Sequence, residues 1–285
     1  MFIVTARDAP TISCMRWISR AFQAVVLTGV LLMPSLGQAQ EEVDVEIILA
    51  VDVSLSMSPT ELEIQRRGYA EALQHETVLK AIHDGVYGRI ALAYFEWAGS
   101  FSQRVVVPWT SISSAEDAKK VADRLSVDPS NSARRTSISG ALDFAGDLFA
   151  ESPYKGLRRV LDISGDGPNN QGRPVADARD KLVNNGITIN GLPLMTSSGY
   201  SSSYDVEELD VYYSECVVGG PGAFTIPVND WSQFAEAVRR KLVIELADNG
   251  MDLGEAKVIR IQARAPYDCL VGEKRWQGRM LQWQQ

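Results

Sequence analysis

The chain has 285 residues, 45% of them hydrophobic and 22% charged, with a net charge of −8 at neutral pH. This is ordinary globular composition with enough apolar material for a sizeable core. The acidic balance argues against nucleic acid as a partner, because polyphosphate would be repelled. The pairs Arg134-Arg135 and Arg158-Arg159 and the run Arg239-Arg240-Lys241 read as solvated faces.

At the N-terminus, Arg7, Arg16 and Arg20 supply a positive region, and Ala24 to Met33 is an uncharged apolar run. Gly37-Gln38-Ala39 then places small residues at the third and first positions before a cut at Gln40. That order predicts a secretory signal peptide over residues 1–39, and the run is too short to span a bilayer. A signal anchor is the rival reading, and Met15 is an alternative start. The expected mature chain is periplasmic or secreted, without a transmembrane segment. It would carry 25 basic against 35 acidic residues, a net charge of −10. Cys14 leaves with the signal, so Cys216 and Cys269 remain as the mature pair. An oxidising compartment would join them in a disulfide; two separate buried thiols are the alternative.

Val43, Val45 and Ile47 alternate and run into Ile47-Ile48-Leu49-Ala50-Val51, the pattern of a strand buried on both faces of a parallel sheet. It ends at Asp52-Val53-Ser54-Leu55-Ser56. A helix follows, with Ser58 as N-cap, Pro59 in its first position and Glu61 completing a capping box. Leu62, Tyr69, Leu73, Leu79 and Ile82 carry its period to Gly85. Residues 87–97 and 103–109 read as a hairpin, with Pro108 marking a sheet edge. Ala115 to Leu125 is predicted helical, Asp128 to Arg135 is a polar loop, and a further helix begins near Ser137. Strand Val160–Ser164 leads to Gly165-Asp166-Gly167-Pro168-Asn169-Asn170, then a helix from Pro174 to Asn185 stopped by Gly186. Strand Ile187–Leu194, a serine-rich stretch from Ser197 to Ser203 that reads as mobile, a short helix over Val206–Tyr213 and strand Ala223–Val228 complete the pattern. Asp230 and Gln233 cap the last core helix, whose Trp231, Phe234, Val238 and Leu242 share a face. Strands alternating with helices predict an α/β, doubly wound Rossmann-like sheet, mostly parallel with one antiparallel edge strand and helices on both faces. Ligands of such folds gather at the carboxyl ends of the strands.

Residues 248–285 form a C-terminal extension. Asn249-Gly250 breaks the preceding helix, Val258–Ala263 reads as a strand, and Trp276, Met280 and Trp283 form a stripe expected to pack back onto the body. A docking helix for a partner is the alternative.

Three strand-end loops carry short oxygen side chains: Asp52, Ser54 and Ser56 after the first strand, Thr136 at the head of a helix, and Asp166 after a later strand. Hydroxyls and carboxylates without His or Cys suit a hard cation: Mg²⁺ first, with Mn²⁺ or Ca²⁺ as alternatives. Two carboxylates leave a bound dication close to neutral, able to accept an acidic side chain from a partner. Singly, each of these residues is by default read as a helix cap.

Taken together, Asp52-x-Ser54-x-Ser56, Thr136 and Asp166-Gly167 resemble the metal-ion-dependent adhesion site of von Willebrand factor A domains, and the order of elements over residues 43–247 is similar to that fold. The resemblance implies that both serines, the threonine and the two aspartates hold the metal directly or through water, with an acidic residue of a protein ligand filling the remaining position. LAVDVSLSM, RIALAYFEW, TSISGALDFA, RRVLDISGDGPNNQG, ITINGLPL and CVVGGPGAF further resemble an uncharacterised family of exported bacterial proteins, domain of unknown function 1194. This likeness reaches into Cys269-Leu270-Val271-Gly272-Glu273. One departure precedes the threonine: Gly is usual there, and this chain has Arg135. Asp162, inside the later strand, reads as a structural residue paired with backbone or an arginine; the alternative is a rival ligand.

Three functions compete. The leading one is an exported binding module that recognises an acidic residue of a protein partner through a bound cation. A metal-stabilised scaffold is the second. An enzyme is the third: serine hydrolysis has poor support, because His75 and His83 both lie in the first predicted helix and no Gly-x-Ser-x-Gly precedes them. Phosphoryl transfer lacks a glycine-rich Lys-Ser/Thr loop and a second carboxylate beside Asp52.

Overall fold

Strand β1 (Glu41–Asp52) runs through the middle of the sheet with both faces covered. Val45, Ile47, Leu49 and Val51 face one side and Ile48 and Ala50 the other, so the run Ile47–Val51 is apolar without a break. β2 (Ile90–Trp97) flanks it in parallel on one side and β4 (Tyr154–Gly165) on the other. β5 (Ile187–Pro193) extends the β4 side in parallel, and β3 (Gln103–Ile112) is the antiparallel edge beyond β2. The order is β3-β2-β1-β4-β5. The computed structural model describes residues 40–127, 132–196, 206, 208–247 and 267–282.

In chain order the helices are α1 (Pro59–Gln74), α2 (Glu76–His83), α3 (Ala115–Val127), α4 (Ile138–Ala150), α5 (Val175–Asn184), α6 (Leu209–Tyr212), α7 (Phe234–Ala247) and α8 (Val271–Gln282). Leu73 of α1, Val78 of α2, Val121 of α3 and Phe234 and Val238 of α7 pack on one face of the sheet. Leu142 of α4, Leu182 of α5 and Leu209 of α6 pack on the other. The fold is a doubly wound α/β sandwich of Rossmann-like type. Among the described residues, no helix is long and apolar enough to cross a membrane.

Several elements differ in detail from the sequence reading. The helix expected from Ser58 to Gly85 is two helices, broken at His75, whose backbone is extended. The imidazole Nδ1 of His75 accepts from the Thr77 N–H at 3.2 Å and so caps α2. Apolar spacing carries across that break, which hides it. β4 begins at Tyr154, ahead of Val160, because its polar first half pairs with Glu41–Glu46 at the exposed end of β1. The expected strand Ala223–Val228 makes only isolated bridges, Thr225 to Gly191 of β5 and Val228 to Leu194 just past its end. Pro193 and Pro227 each remove a donor from what would be the ladder. Past Tyr212 the helical chain widens into a π turn, Tyr213–Val217. Ser197–Ser203, Asn249-Gly250 and Val258–Ala263 lie outside the described residues.

Arg239-Arg240-Lys241 is not a solvated run throughout. Lys241 is fully buried, its Nζ 2.9 Å from Asp162 Oδ1 and bonded also to Glu245. Asp162 is thus a structural residue, and its partner is a lysine of α7, not an arginine. One ammonium faces two buried carboxylates. Burial pushes the Glu245 carboxyl up to about 7, with Lys241 pulling it down and Asp162 pushing it further up. A folded-state value above the ordinary 4.5 means that the folded protein holds this proton more tightly than the unfolded chain. The stability it contributes is complete below about pH 4.5 and is lost as the pH rises through about 7. Melting temperature followed against pH should fall across that window, and Glu245→Gln should flatten the fall. Lys241→Met leaves buried carboxylates without their cation and should cost about 3–5 kcal/mol in urea unfolding.

Candidate metal centre

The strand order reverses direction beside β1, so the carboxyl ends of β1 and β4 lie next to each other at the switch point. Val51 pairs with Ser164 in the register of the two strands, and the loops leaving them start at Asp52 and Asp166. The capping box of α1, with Ser58 N–H donating to Glu61 Oε2 at 2.7 Å, turns the chain sharply after β1. Ser54 and Ser56 are thereby kept over the strand end.

Asp52 is fully buried. Its Oδ1 accepts from the Ser54 N–H at 2.7 Å, while Oδ2 lies buried without a partner in hydrogen-bonding geometry. Burial, and after it the charge of Asp166, holds the Asp52 carboxyl well above the usual range; hydrogen bonds to Ser54 and the Asp166 backbone offset part of the rise. The Ser54 and Ser56 hydroxyls are 2.9 Å apart, and Ser56 donates to Asp166 Oδ1 at 2.9 Å.

Thr136 reaches the same place from the other side. Leu55 N–H donates to the Ala133 carbonyl at 3.0 Å, stitching that loop to the exit of β1. Thr136 N–H donates to Asn170 Oδ1 at 3.0 Å, and Asn170 N–H donates back to the Thr136 carbonyl at 2.8 Å. Ser137 caps α4 by accepting from Gly140 N–H at 3.1 Å. Ser54, Ser56, Thr136 and Asp166 line one pocket of about 420 Å³, together with Leu55, Arg134, Arg135, Asn170 and Trp276. Asp52 is bonded to Ser54 beneath it. All five residues singled out in the sequence therefore meet at one point.

Further residues here carried no signal of their own in the sequence. Tyr213, in the π turn, sends its hydroxyl beside Asp52. A Cβ on Gly165 would stand 2.7 Å from that hydroxyl and 2.9 Å from Asp52 Oδ2, so only glycine fits between them. Burial, and then the charge of Asp52, pushes the Tyr213 phenol up. Asn169 and Asn170 stood in view in the Gly-Asp-Gly-Pro-Asn-Asn run, but nothing in their spacing disclosed that Asn170 clamps Thr136.

Arg135 is the described non-glycine residue with a positive φ, +80°, the conformation that glycine adopts freely. The loop thus keeps a glycine-like path with an arginine in it. Its guanidinium lies 3.2 Å over the centre of the Trp276 ring. Trp276 belongs to α8, which is fastened to the domain at its start. Cys269 is joined to Cys216 in a disulfide with Cα atoms 5.5 Å apart. Asn169 Nδ2 donates to Glu273 Oε1 at 2.7 Å, and Gly272 packs so close to the Asn169 carbonyl that any Cβ would collide with it. The aromatic stripe expected to pack on the body does so only at Trp276; Met280 is exposed, and Trp283 is outside the described residues.

The donor set fits a divalent cation. Two carboxylates, one of them buried with an unpartnered oxygen, converge with three hydroxyls, and a dication would relieve their repulsion. Among the described residues, His, Cys, Asp and Glu side chains nowhere gather in threes. Such an ion would therefore depend on Ser54, Ser56 and Thr136 as well as on the aspartates.

Residues 42–250 match a family described as Protein of unknown function (DUF1194). The chain belongs to that family. Among curated proteins none matches it in sequence. Of solved structures, this DUF1194 chain is similar to the pilus adhesin SpaC from Lactobacillus rhamnosus GG, with 14% identity and a TM-score of 0.51, covering 74% of this chain and 31% of that one. It is also similar to proximal thread matrix protein 1 of the mussel byssus with a zinc-occupied MIDAS motif, at 17% identity and a TM-score of 0.49 over 73% of this chain and 49% of that one. A von Willebrand factor type A structure from Catenulispora acidiphila has 18% identity and a TM-score of 0.46, covering 72% and 43%. The DUF1194 chain spans about half the length of the mussel protein or less of the others, and at these identities the likeness is one of fold.

Two measurements check this local geometry. Arg135→Ala keeps the left-handed strain and loses the stack, whereas Arg135→Gly relieves the strain; the glycine variant should be the more stable of the two by about 1 kcal/mol in denaturant unfolding. Cys216 and Cys269 are separated by 53 positions. Cross-linking a loop of that length constrains the unfolded chain by roughly 4 kcal/mol, so Cys269→Ser should lower the unfolding free energy by up to that amount.

Proposed function

We propose that the protein is an exported binding module whose von Willebrand factor A-type domain, residues 43–247, holds one divalent cation, Mg²⁺ by preference, through Asp52, Ser54, Ser56, Thr136 and Asp166. The cation would act as a Lewis acid toward an acidic side chain offered by a protein partner. What carries this reading is the convergence of Ser54, Ser56, Thr136 and Asp166 on one pocket, with Asp52 bonded to Ser54 behind it and one of its buried carboxylate oxygens left unpartnered. The residues themselves orient the site: Ser54 N–H fixes the Asp52 carboxyl, Ser56 holds Asp166, and Asn170 holds the Thr136 backbone. With few charges, such an oxygen site binds its dication modestly. His75 caps a helix on the protein's flank, where it contacts Thr77 and Arg239.

In calorimetry the wild-type protein should bind one Mg²⁺, and Asp52→Ala should lose that binding while keeping its circular dichroism spectrum. Undiminished Mg²⁺ binding in the variant would refute the site. A chelator-sensitive capture of an envelope protein separates the binding module from a metal-stabilised scaffold, which would be indifferent to chelator. Residues 1–39 direct export in this reading, and residues 248–285 are an extension held to the domain through α8. The exported protein should carry Gln40, or a residue within about two of it, at its N-terminus by mass analysis.

A further inference from the structure

Tyr213 is fully buried, yet its hydroxyl has no partner in hydrogen-bonding geometry, and neither has Oδ2 of the fully buried Asp52. Both oxygens lie within 2.9 Å of one point, the place that a Cβ on Gly165 would take. A buried polar group left unpaired is costly, and here two such groups, a donor and an acceptor, bracket the same backbone position. The sheet is cleared for the tyrosine side chain twice. At Gly165, on β4, a Cβ would stand 2.7 Å from the hydroxyl; at Gly191, on β5, it would stand 2.8 Å from Cδ1 of the ring. The phenol thus crosses two neighbouring strands over glycines and ends beside the carboxylate. The turn that aims it is equally specific. Tyr213 opens the π turn, a rare widening of a helix that is frequent at functional sites, and Cys216 in the same turn is tied to Cys269. The Val218 N–H closes the turn onto the Tyr213 carbonyl at 3.0 Å. Phenylalanine would fill the same space, so packing alone does not call for the hydroxyl. At neutral pH a phenol has a proton to donate, and an ionised carboxylate can only accept.

We propose that Tyr213 is a positioning residue of the cation site: its phenol donates to Asp52 Oδ2 and fixes that carboxylate from behind, while the Ser54 N–H holds Oδ1. This deepens the cation reading above and rests on it. The contact forms in the cation-bound protein, so the phenol reports binding as well as supporting it.

The test uses the full exported protein, Mg²⁺ as the only added ligand, and Tyr213→Phe, which keeps the ring and removes the hydroxyl alone. Without Mg²⁺ the variant should unfold at no lower urea concentration than wild type, since the hydroxyl it loses is unpartnered. In calorimetry it should bind Mg²⁺ about tenfold more weakly, the effect of one hydrogen bond to a charged group. The near-UV difference spectrum of the wild type with and without Mg²⁺ should show a red-shifted tyrosine band that Tyr213→Phe lacks. Tyr94→Phe is the control: it removes another buried hydroxyl without a partner, on the opposite face of the sheet, and should match wild type in affinity and spectrum. Wild-type Mg²⁺ affinity in Tyr213→Phe, or a tyrosine band that persists in it, overturns the proposal and leaves the cation site standing. So does weaker binding without a tyrosine band in the wild type, or a loss of affinity shared by Tyr94→Phe. A metal-free Tyr213→Phe that unfolds earlier than wild type also overturns it, because the hydroxyl then already serves the fold. Absence of Mg²⁺ binding by the wild type overturns the cation reading and this inference with it.

Discussion

A parallel strand can be entered only by a crossover, and where successive crossovers leave in opposite directions two strand ends are left with no connection over them. Here those ends belong to β1 and β4, and each loop leaving them opens with an aspartate. The fold therefore forces Asp52 and Asp166 together before any ligand is considered. Two carboxylates so close, one of them fully buried, are unfavourable for the folded protein, which is visible in the upward shift of Asp52. The hydroxyls of Ser54 and Ser56 and nearby N–H groups lessen that repulsion without removing it. The rest of the site is arranged around an electrostatic cost that the backbone topology imposes.

The buried charges elsewhere in the sheet are handled differently. Asp162 lies on β4, four residues before Asp166, and meets Lys241 and Glu245 within the layer that α7 covers. There the compensating cation is part of the chain, and every group in the cluster is sealed from solvent. Asp52 has no such ammonium within its hydrogen-bonding neighbours; its surroundings open through Ser54 and Ser56 into a pocket that a small cation could enter. Two aspartates near the end of one sheet thus separate by environment, one internally neutralised and one dependent on the pocket.

The sequence disclosed most of what periodicity and end signals encode. The unbroken apolar run of β1, the capping box at Ser58 and the hairpin before Pro108 all have local causes, so they were legible locally. The five oxygen residues were legible because strand-end loops of a doubly wound sheet converge, which makes positions far apart in the chain comparable. What stayed hidden depends on pairing partners. The break at His75 rests on a side-chain cap that apolar spacing does not register. Lys241 looked solvated because its neighbours Arg239 and Arg240 are charged, although it sits on the inner face of its helix. The segment 223–228 has strand-like composition but meets prolines where a ladder needs donors. The placement of α8 was hidden for a related reason: its anchors are a glycine, a disulfide and one glutamate rather than the apolar stripe that its sequence suggests.

These anchors form a continuous mechanical path to the site. Cys269 fixes the start of α8 to Cys216, Gly272 and Glu273 seat it on Asn169, and the next residue, Asn170, holds both polar groups of the Thr136 backbone. Asn169 also accepts from the Ser139 N–H through Oδ1 at 2.9 Å, which ties the first turn of α4 to the same point. The loop before Thr136 then crosses back to α8 through Arg135 and Trp276. Asn169–Asn170 is therefore the shared support of one hydroxyl-bearing helix start and one C-terminal helix, and it lies three residues beyond Asp166. Displacing α8 would pull on the Asp166 loop and on Thr136 together, because the same two asparagines brace both. The extension thus shares its supports with the oxygen cluster: two successive asparagines hold the start of α8 on one side and the Thr136 backbone on the other.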